Sequence, residues 1–218
     1  MDWTYTHLPT GVWPVKVDNQ ALFYGPGNSV SAKQYIAAPQ LLDDSFKLGL
    51  QVLESGFRPH FIIGVWRGGA PVGIAVQELL AYFGVETDHI AIRTSFYTAP
   101  GERAKAVRVH GLGYVIDHIR KADSLLIVDD VYDTGLSLQQ IVSDIRQDCG
   151  ESPPEIRLAT PYFKPANNRT DRVPDYYLHE TDRWLVFPHE LAGLSAQELL
   201  EHKPGIDALR EKLSTLNK

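Results

Sequence analysis

The sequence has a single cysteine, Cys149, so no disulfide bond can form within the chain. No apolar run approaches the roughly 18 residues that a membrane-spanning helix requires. The net charge of −6 gives no electrostatic reason to expect nucleic-acid binding. The first residues lack the basic and then apolar layout of a signal peptide. We therefore expect a cytoplasmic protein that binds neither nucleic acid nor a membrane.

The composition is that of an ordinary globular protein, with 44% hydrophobic and 22% charged residues. Apolar runs typical of buried strands alternate with helical patterns, and this alternation predicts a parallel sheet. Strands are predicted at 61–65, 89–93, 125–128, 156–162, 176–178 and 185–187. Helices are predicted at 31–55, at 70–83, after Ser137 and at the C-terminal end, where Ser195 and Glu198 form a capping-box pattern. Residues 94–110 are polar and contain glycine and proline, and they are predicted to form a long loop.

The most informative stretch begins at Leu125, where four apolar residues run directly into Asp129 and Asp130. Asp133, Thr134, Gly135, Leu136 and Ser137 follow, and then a helical pattern starts. The polar residues are therefore predicted at the C-terminal tip of a buried strand, where α/β sheets bind ligands.

The small residues of this turn lead into a helix N-terminus, which favours binding of a phosphate. Asp129 and Asp130 would repel the phosphate, so a vicinal diol or Mg²⁺ is the better partner for them. The alternative is a strand–turn–helix connection in which the acids merely cap the helix. Three acids so close to a buried strand are costly to desolvate, which argues against it. A receiver domain phosphorylated on aspartate also has acids at strand tips, yet it does not need the phosphate turn.

This stretch resembles the PRPP-binding signature of type I phosphoribosyltransferases, most closely in the 6-oxopurine branch. The resemblance implies that Asp129 and Asp130 hold the ribose hydroxyls of PRPP and that residues 133–137 wrap its 5′-phosphate. It also implies that Asp133 holds or accepts the N7 proton of the base. The bound metal would be Mg²⁺.

Further parts of the family's site match other segments of the chain. Arg67, Gly68 and Gly69 look like the pyrophosphate loop, in which the family often has a non-proline cis peptide, here Trp66–Arg67. Ser95 and Tyr97 resemble the flexible loop, although Phe96 separates them. Lys164 matches the lysine that donates to the purine O6. The resemblance also implies that Trp184 stacks on the base, that Leu185 offers backbone groups to its 2-position edge, and that Glu190 binds Mg²⁺.

The resemblance implies one phosphoribosyltransferase domain over 1–218, with a parallel-sheet core at about 31–163. A small hood over the base would come from about 1–30 and 164–218. The expected reaction joins PRPP to hypoxanthine, guanine or xanthine and releases pyrophosphate, in a homodimer or homotetramer. Two alternatives stay open: a phosphoribosyltransferase for another base, and a regulator that senses PRPP or nucleotides without turnover.

Overall fold

The computed structural model describes residues 13–17, 20–24, 33–98, 105–150 and 153–203, with isolated positions between 205 and 212. The chain divides into two compact units, the larger formed by residues 38–182 and the smaller by the described parts of 1–37 and 183–218. Among these residues, no helix is both long and apolar enough to cross a membrane.

The strands, in chain order, are β1 (Trp13–Val17), β2 (Gln20–Tyr24), β3 (Lys33–Tyr35), β4 (Phe61–Trp66), β5 (Asp88–Thr98), β6 (Lys105–His110), β7 (Ser124–Val128), β8 (Val131–Tyr132), β9 (Glu155–Phe163), β10 (Tyr176–Glu180) and β11 (Trp184–Val186). The helices are α1 (Ala38–Glu54), α2 (Gly69–Tyr82), α3 (Gly113–His118), α4 (Leu136–Cys149) and α5 (Ala196–His202). A 3₁₀ turn covers Pro165–Asn167.

The larger unit is built on one sheet, which has seven strands among the described residues, in the order β10-β9-β7-β4-β5-β6 with β8 beside β9. Only β5 and β6 pair antiparallel; the other neighbours are parallel. The predicted parallel α/β sheet with flanking helices is thereby confirmed. Its central strands, β4, β7 and β9, end at the same edge, which is where the predicted polar residues lie.

The central strand β7 is buried on both faces, as its unbroken apolar run predicts. Leu125 and Ile127 belong to the hydrophobic cluster that includes Ile141 and Ile145 of α4. On the opposite face, Val128 lies close to α2 at Gly73. Cys149, at the end of α4, packs against the first cluster, and burial raises the pKa of its thiol. The cysteine therefore contributes to packing.

The predicted loop at 94–110 is wrong for most of its length. Strand β5 continues to Thr98, and β6 pairs with it antiparallel from Lys105 to His110. Residues 99–104 lie outside the described part of the chain. Polar side chains are compatible with strands here because an antiparallel pair at the edge of a sheet exposes one face to solvent.

The predicted helix at 31–55 is too long at its N-terminal end. Residues 33–35 form β3, which pairs in parallel with β11, and α1 begins at Ala38. Pro39 lies in the first turn of α1, where its missing N–H needs no partner. A strand partner about 150 residues away leaves no local signal, so the sequence pattern did not separate β3 from α1.

The smaller unit contains the pair β11 and β3, the hairpin β1–β2 and α5. The predicted capping box is confirmed, because Ser195 Oγ accepts from the Glu198 amide at 3.2 Å and Glu198 accepts from the Ser195 amide at 2.8 Å. Lys33 of β3 forms an ion pair with the same Glu198. Burial alone would raise the pKa of Glu198, but hydrogen bonds from Lys33, Ser195 and Tyr35 lower it to about 2. The cap thus connects α5 to β3.

The first turn of α2 approaches the end of β7 so closely that only glycine fits at position 69. A Cβ there would lie 2.3 Å from the Val128 carbonyl oxygen and 2.9 Å from Asp129 Cα. Both are backbone atoms, which cannot rotate out of the way. We predict that Gly69→Ala lowers the free energy of unfolding by about 1–3 kcal/mol, measured by urea unfolding.

Gly113→Ala is the matched control for this substitution. Gly113 begins α3, and nothing lies within 4 Å of the Cβ that would be added. Alanine is the better helix former, so this variant should be as stable as the original protein or slightly more stable. Equal stability of the two variants would contradict the close approach at Gly69.

Candidate functional site

Three loops meet at the C-terminal edge of the sheet because β4, β7 and β9 are parallel neighbours. The loop after β4 holds Arg67 and Gly68, the loop after β7 holds Asp129 and Asp130, and β9 leads directly into Lys164. Parallel strands present the ends of their loops on one side, where α/β folds bind ligands. The tertiary structure therefore brings these separate sequence segments to one edge.

The loop after β4 is shaped to bring its backbone against the acidic pair. The Trp66–Arg67 peptide bond is cis, as the resemblance implied. A Cβ at Gly68 would lie 1.8 Å from Asp130 Oδ2, so a larger residue there would displace that carboxylate. The Arg67 side chain is exposed, which leaves its guanidinium available to an anion.

Asp129 and Asp130 form a carboxylate pair at the tip of β7. Asp130 is only 9% exposed, and its amide donates to Asp129 Oδ1 at 3.0 Å. Burial, followed by the neighbouring charge of Asp130, raises the pKa of Asp129 well above its ordinary value, although the Gly69 amide also donates to it. Two adjacent desolvated carboxylates are costly on their own, and a diol or a divalent cation would relieve that cost.

The turn at 133–137 leads from β8 into α4, which begins at Leu136. Gly135 has a φ of +76°, and a Cβ there would lie 2.5 Å from the Tyr132 hydroxyl, so glycine is required. Thr134 and Ser137 are half-buried beside it. The first amides of an α-helix have no partner within the helix, so the start of α4 is compatible with a bound phosphate; phosphate binding here stays a prediction.

Asp133 and Lys164 come together because the two-residue strand β8 pairs with the end of β9. Val131 is opposite Tyr162 and Tyr132 is opposite Phe163, so the next residues on the two strands are neighbours. Lys164 Nζ lies 3.2 Å from Asp133 Oδ2, and the Lys164 amide donates to the Tyr132 carbonyl at 2.9 Å. The Lys164 side chain is 11% exposed and that of Asp133 is 43% exposed. A cation and an anion thus stand side by side at the mouth of the sheet.

The residues predicted for the flexible loop lie on the β5–β6 hairpin. Ser95 is opposite Arg108 and Tyr97 is opposite Ala106. Ser95 Oγ lies 3.0 Å from His110 Nε2. Their approach to a ligand stays a prediction.

Trp184, Leu185 and Glu190 belong to the smaller unit. The Trp184 side chain is 48% exposed, whereas Leu185 is buried. One carboxylate oxygen of Glu190 accepts from the Phe187 amide at 3.0 Å, so this acid also closes the turn after β11. Stacking by Trp184 and metal binding by Glu190 stay predictions.

Two contacts near the site were missed by sequence reasoning. Asn167 donates to Asp133 Oδ1 at 2.8 Å, and the Tyr132 hydroxyl contacts Thr170 at 2.7 Å. The sequence Lys-Pro-Ala-Asn at 164–167 is compatible with a turn, but it does not show which carboxylate the Asn167 side chain would contact. Lys203, a third omission, is buried in the smaller unit and donates to the Phe187 carbonyl.

The acidic pair fits Mg²⁺ by its chemistry. Mg²⁺ in phosphate-transfer sites is often held by one or two carboxylates, with waters and substrate phosphates completing its shell. Within the described ranges, no group of three or more His, Cys, Asp and Glu side chains forms a fuller metal site. Asp129 and Asp130 would therefore share the ion with the substrate.

Comparisons with known proteins agree with this geometry. A family model described as a phosphoribosyl transferase domain matches residues 31–193. A purine phosphoribosyltransferase structure from Pyrococcus horikoshii is 30% identical, with 74% of this chain and 97% of that chain covered and a TM-score of 0.56. The Helicobacter pylori xanthine-guanine-hypoxanthine phosphoribosyltransferase is 18% identical, with 72% and 92% covered and a TM-score of 0.54.

A hypothetical protein from Neisseria gonorrhoeae, solved with bound ppGpp, is 16% identical, with 88% and 100% covered and a TM-score of 0.62. A search of curated proteins gave no match. The family match spans most of the chain and includes the strand ends that carry Arg67, Asp129 and Lys164. The chain therefore belongs to the phosphoribosyl transferase domain family.

Proposed function

We propose that this protein transfers the 5-phosphoribosyl group of PRPP to a 6-oxopurine, that is, hypoxanthine, guanine or xanthine. The products are the nucleoside 5′-monophosphate and pyrophosphate, as expected for purine salvage. The observation that carries the proposal is the adjacent pair of Asp133 and Lys164, with 3.2 Å between Oδ2 and Nζ. Asp133 begins the 133–137 turn and Lys164 follows the end of β9, in a chain of the phosphoribosyl transferase family.

The pair suits one edge of a 6-oxopurine. A lysine ammonium has only donors, so Lys164 matches the carbonyl oxygen O6 and opposes the amino group of adenine. N7 is the neighbouring position on the same edge of the ring, and Asp133 would receive its proton. An ammonium has three N–H bonds, so Lys164 can donate to O6 while it stays close to Asp133.

The chemistry assigns a separate task to each loop. The bond from N9 to the anomeric carbon forms as the bond from that carbon to pyrophosphate breaks, and the electron pair leaves with pyrophosphate. Positive charge builds on the imidazole part of the base, and the N7 proton passes to the Asp133 carboxylate. Arg67 and the amides of the 68–69 loop would stabilise the leaving pyrophosphate. Bound Mg²⁺, held by Asp129 and Asp130, would neutralise phosphate charge.

The proposal assigns recognition of the 2-position of the base to the backbone of Leu185 in β11. The Ile36 amide donates to the Val186 carbonyl at 3.0 Å, and Trp184 pairs with Lys33 in the same parallel ladder. In such a ladder alternate residues bond to the partner strand, so the amide and carbonyl of Leu185 point away from β3. A donor and an acceptor on one residue would serve the 2-position of guanine or xanthine.

A substrate panel with PRPP and Mg²⁺ tests the proposal. We expect hypoxanthine, guanine or xanthine to form a nucleotide and adenine to be a poor substrate. Replacement of Lys164 by methionine keeps the length of the buried side chain but removes its donors. The kcat/KM ratio of hypoxanthine to adenine should then fall roughly 10- to 100-fold.

Lys47→Met, at an exposed position of α1, is the control for this substitution. Preference for adenine or a pyrimidine in the unmodified protein would favour the alternative of another base. Tight binding of PRPP or ppGpp without turnover of any base would favour a regulator. The Neisseria protein with bound ppGpp has this fold, but Arg67, Asp133 and Lys164 together favour an enzyme.

Asp133→Asn should separate the chemical step from PRPP binding. Asparagine keeps the shape of the turn but cannot accept the N7 proton. We expect kcat to fall by ~10²–10⁴ while the KM for PRPP changes only a few-fold. Asp171→Asn, at an exposed position between β9 and β10, should leave both values unchanged. An unchanged kcat with lost PRPP binding would make Asp133 a turn residue instead.

Arg67→Ala should weaken PRPP and pyrophosphate binding without loss of stability, because the side chain is exposed. Loss of one charge-assisted contact should reduce affinity roughly 10- to 100-fold, measured by calorimetric titration. Arg146→Ala, exposed in the last turn of α4, is the matched control. A large fall in Tm with unchanged PRPP affinity would assign Arg67 to structure.

A further inference from the structure

The Asp133 carboxylate has a second partner besides Lys164. Asn167 Nδ2 donates to Asp133 Oδ1 at 2.8 Å, and Lys164 Nζ lies 3.2 Å from Oδ2. Each carboxylate oxygen therefore has its own donor, one neutral and one charged. Asn167 itself is exposed, so packing of the core does not explain this contact.

The backbone that carries Asn167 is held at several points. The Asn167 amide donates to the Lys164 carbonyl at 3.1 Å, which closes the 3₁₀ turn begun by Pro165. Two residues further on, the Arg169 amide donates to the Thr134 carbonyl at 3.0 Å. Asn167 thus lies on a segment that is bonded to the Asp133 turn on both sides, and its side chain reaches Asp133 Oδ1 from there.

Lys164 and Asn167, the two donors to Asp133, have different roles when a base is bound. Under the proposed function, Lys164 must share its ammonium between Asp133 and the purine O6. Asn167 has no such second task, so its hydrogen bond is the one that keeps the carboxylate plane from turning about the Cβ–Cγ bond. Proton transfer depends strongly on the orientation of the acceptor lone pair.

We propose that Asn167 is a positioning residue that orients the Asp133 carboxylate toward N7 of the bound purine. The proposal rests on the proposed function, because it assumes that Asp133 receives the N7 proton. It adds a residue that acts through Asp133, bound to the oxygen opposite the one near Lys164.

The test compares Asn167→Ala and Asn167→Asp with the unmodified protein in the hypoxanthine assay. Both variants lose the donor, and the aspartate keeps the side-chain shape but places a negative charge against Asp133. We expect kcat to fall roughly tenfold in the alanine variant and further in the aspartate variant, with the KM for PRPP nearly unchanged. In an Asp133→Ala background, Asn167→Ala should have no additional effect on kcat.

Asn168→Ala is the matched structural control. The Asn168 side chain bonds to Thr170 and to the Arg172 carbonyl rather than to Asp133. This variant should lower Tm, but its effect on kcat should be the same with and without Asp133. If Asn167→Ala behaves like Asn168→Ala, or if its effect persists in the Asp133→Ala background, Asn167 only supports the loop and the proposal is overturned.

A measurement without turnover separates this inference from the proposed function. In the ligand-free protein, the side-chain amide resonances of Asn167, assigned with the Asn167→Asp variant, should shift when Asp133 is replaced by alanine. No shift would mean that the contact does not exist. Failure of the unmodified protein to convert any 6-oxopurine, with the shift present, would instead overturn the proposed function and, with it, the role assigned to Asn167.

Discussion

The short parallel pairing of β8 with the end of β9 is the contact on which the candidate site depends. It aligns Tyr132 with Phe163, and the chain leaves both strands at that level. Asp133 and Lys164 are therefore adjacent although 31 residues separate them in sequence. The Tyr132 hydroxyl also contacts Thr170 at 2.7 Å, so the same residue holds the segment that follows Lys164.

A second constraint is the unfavourable free energy of placing two carboxylates side by side at the edge of the sheet. Asp129 and Asp130 are adjacent, Asp130 is buried, and burial and then the neighbouring charge raise the pKa of Asp129. A sheet that only needed stability would not keep two adjacent carboxylates at its edge. The glycine at position 68 leaves room for Asp130, so the backbone of the neighbouring loop is adapted to this pair. An arrangement that is unfavourable without a ligand is expected at a functional site, where a bound ligand or cation supplies the positive charge.

The errors in the sequence interpretation arose where strand pairing, rather than side-chain periodicity, decides the structure. Residues 94–98 and 105–110 have mixed polar and apolar side chains, and each segment by itself was compatible with a loop. Their antiparallel pairing at the sheet edge makes them strands, since it satisfies their backbone hydrogen bonds. Residues 33–35 were assigned to a helix for a different reason, because their partner strand, 184–186, lies far along the chain.

The sequence by itself determined the buried strands, the order of strands and helices in the core, the capping box at Ser195 and the signature at 129–137. Periodicity and turn chemistry are local, so they can be read from neighbouring residues. Only the tertiary structure decided that Asp133 meets both Lys164 and Asn167, and that Gly68 faces Asp130. These contacts depend on strand register and on distances between separate loops, which no local pattern encodes.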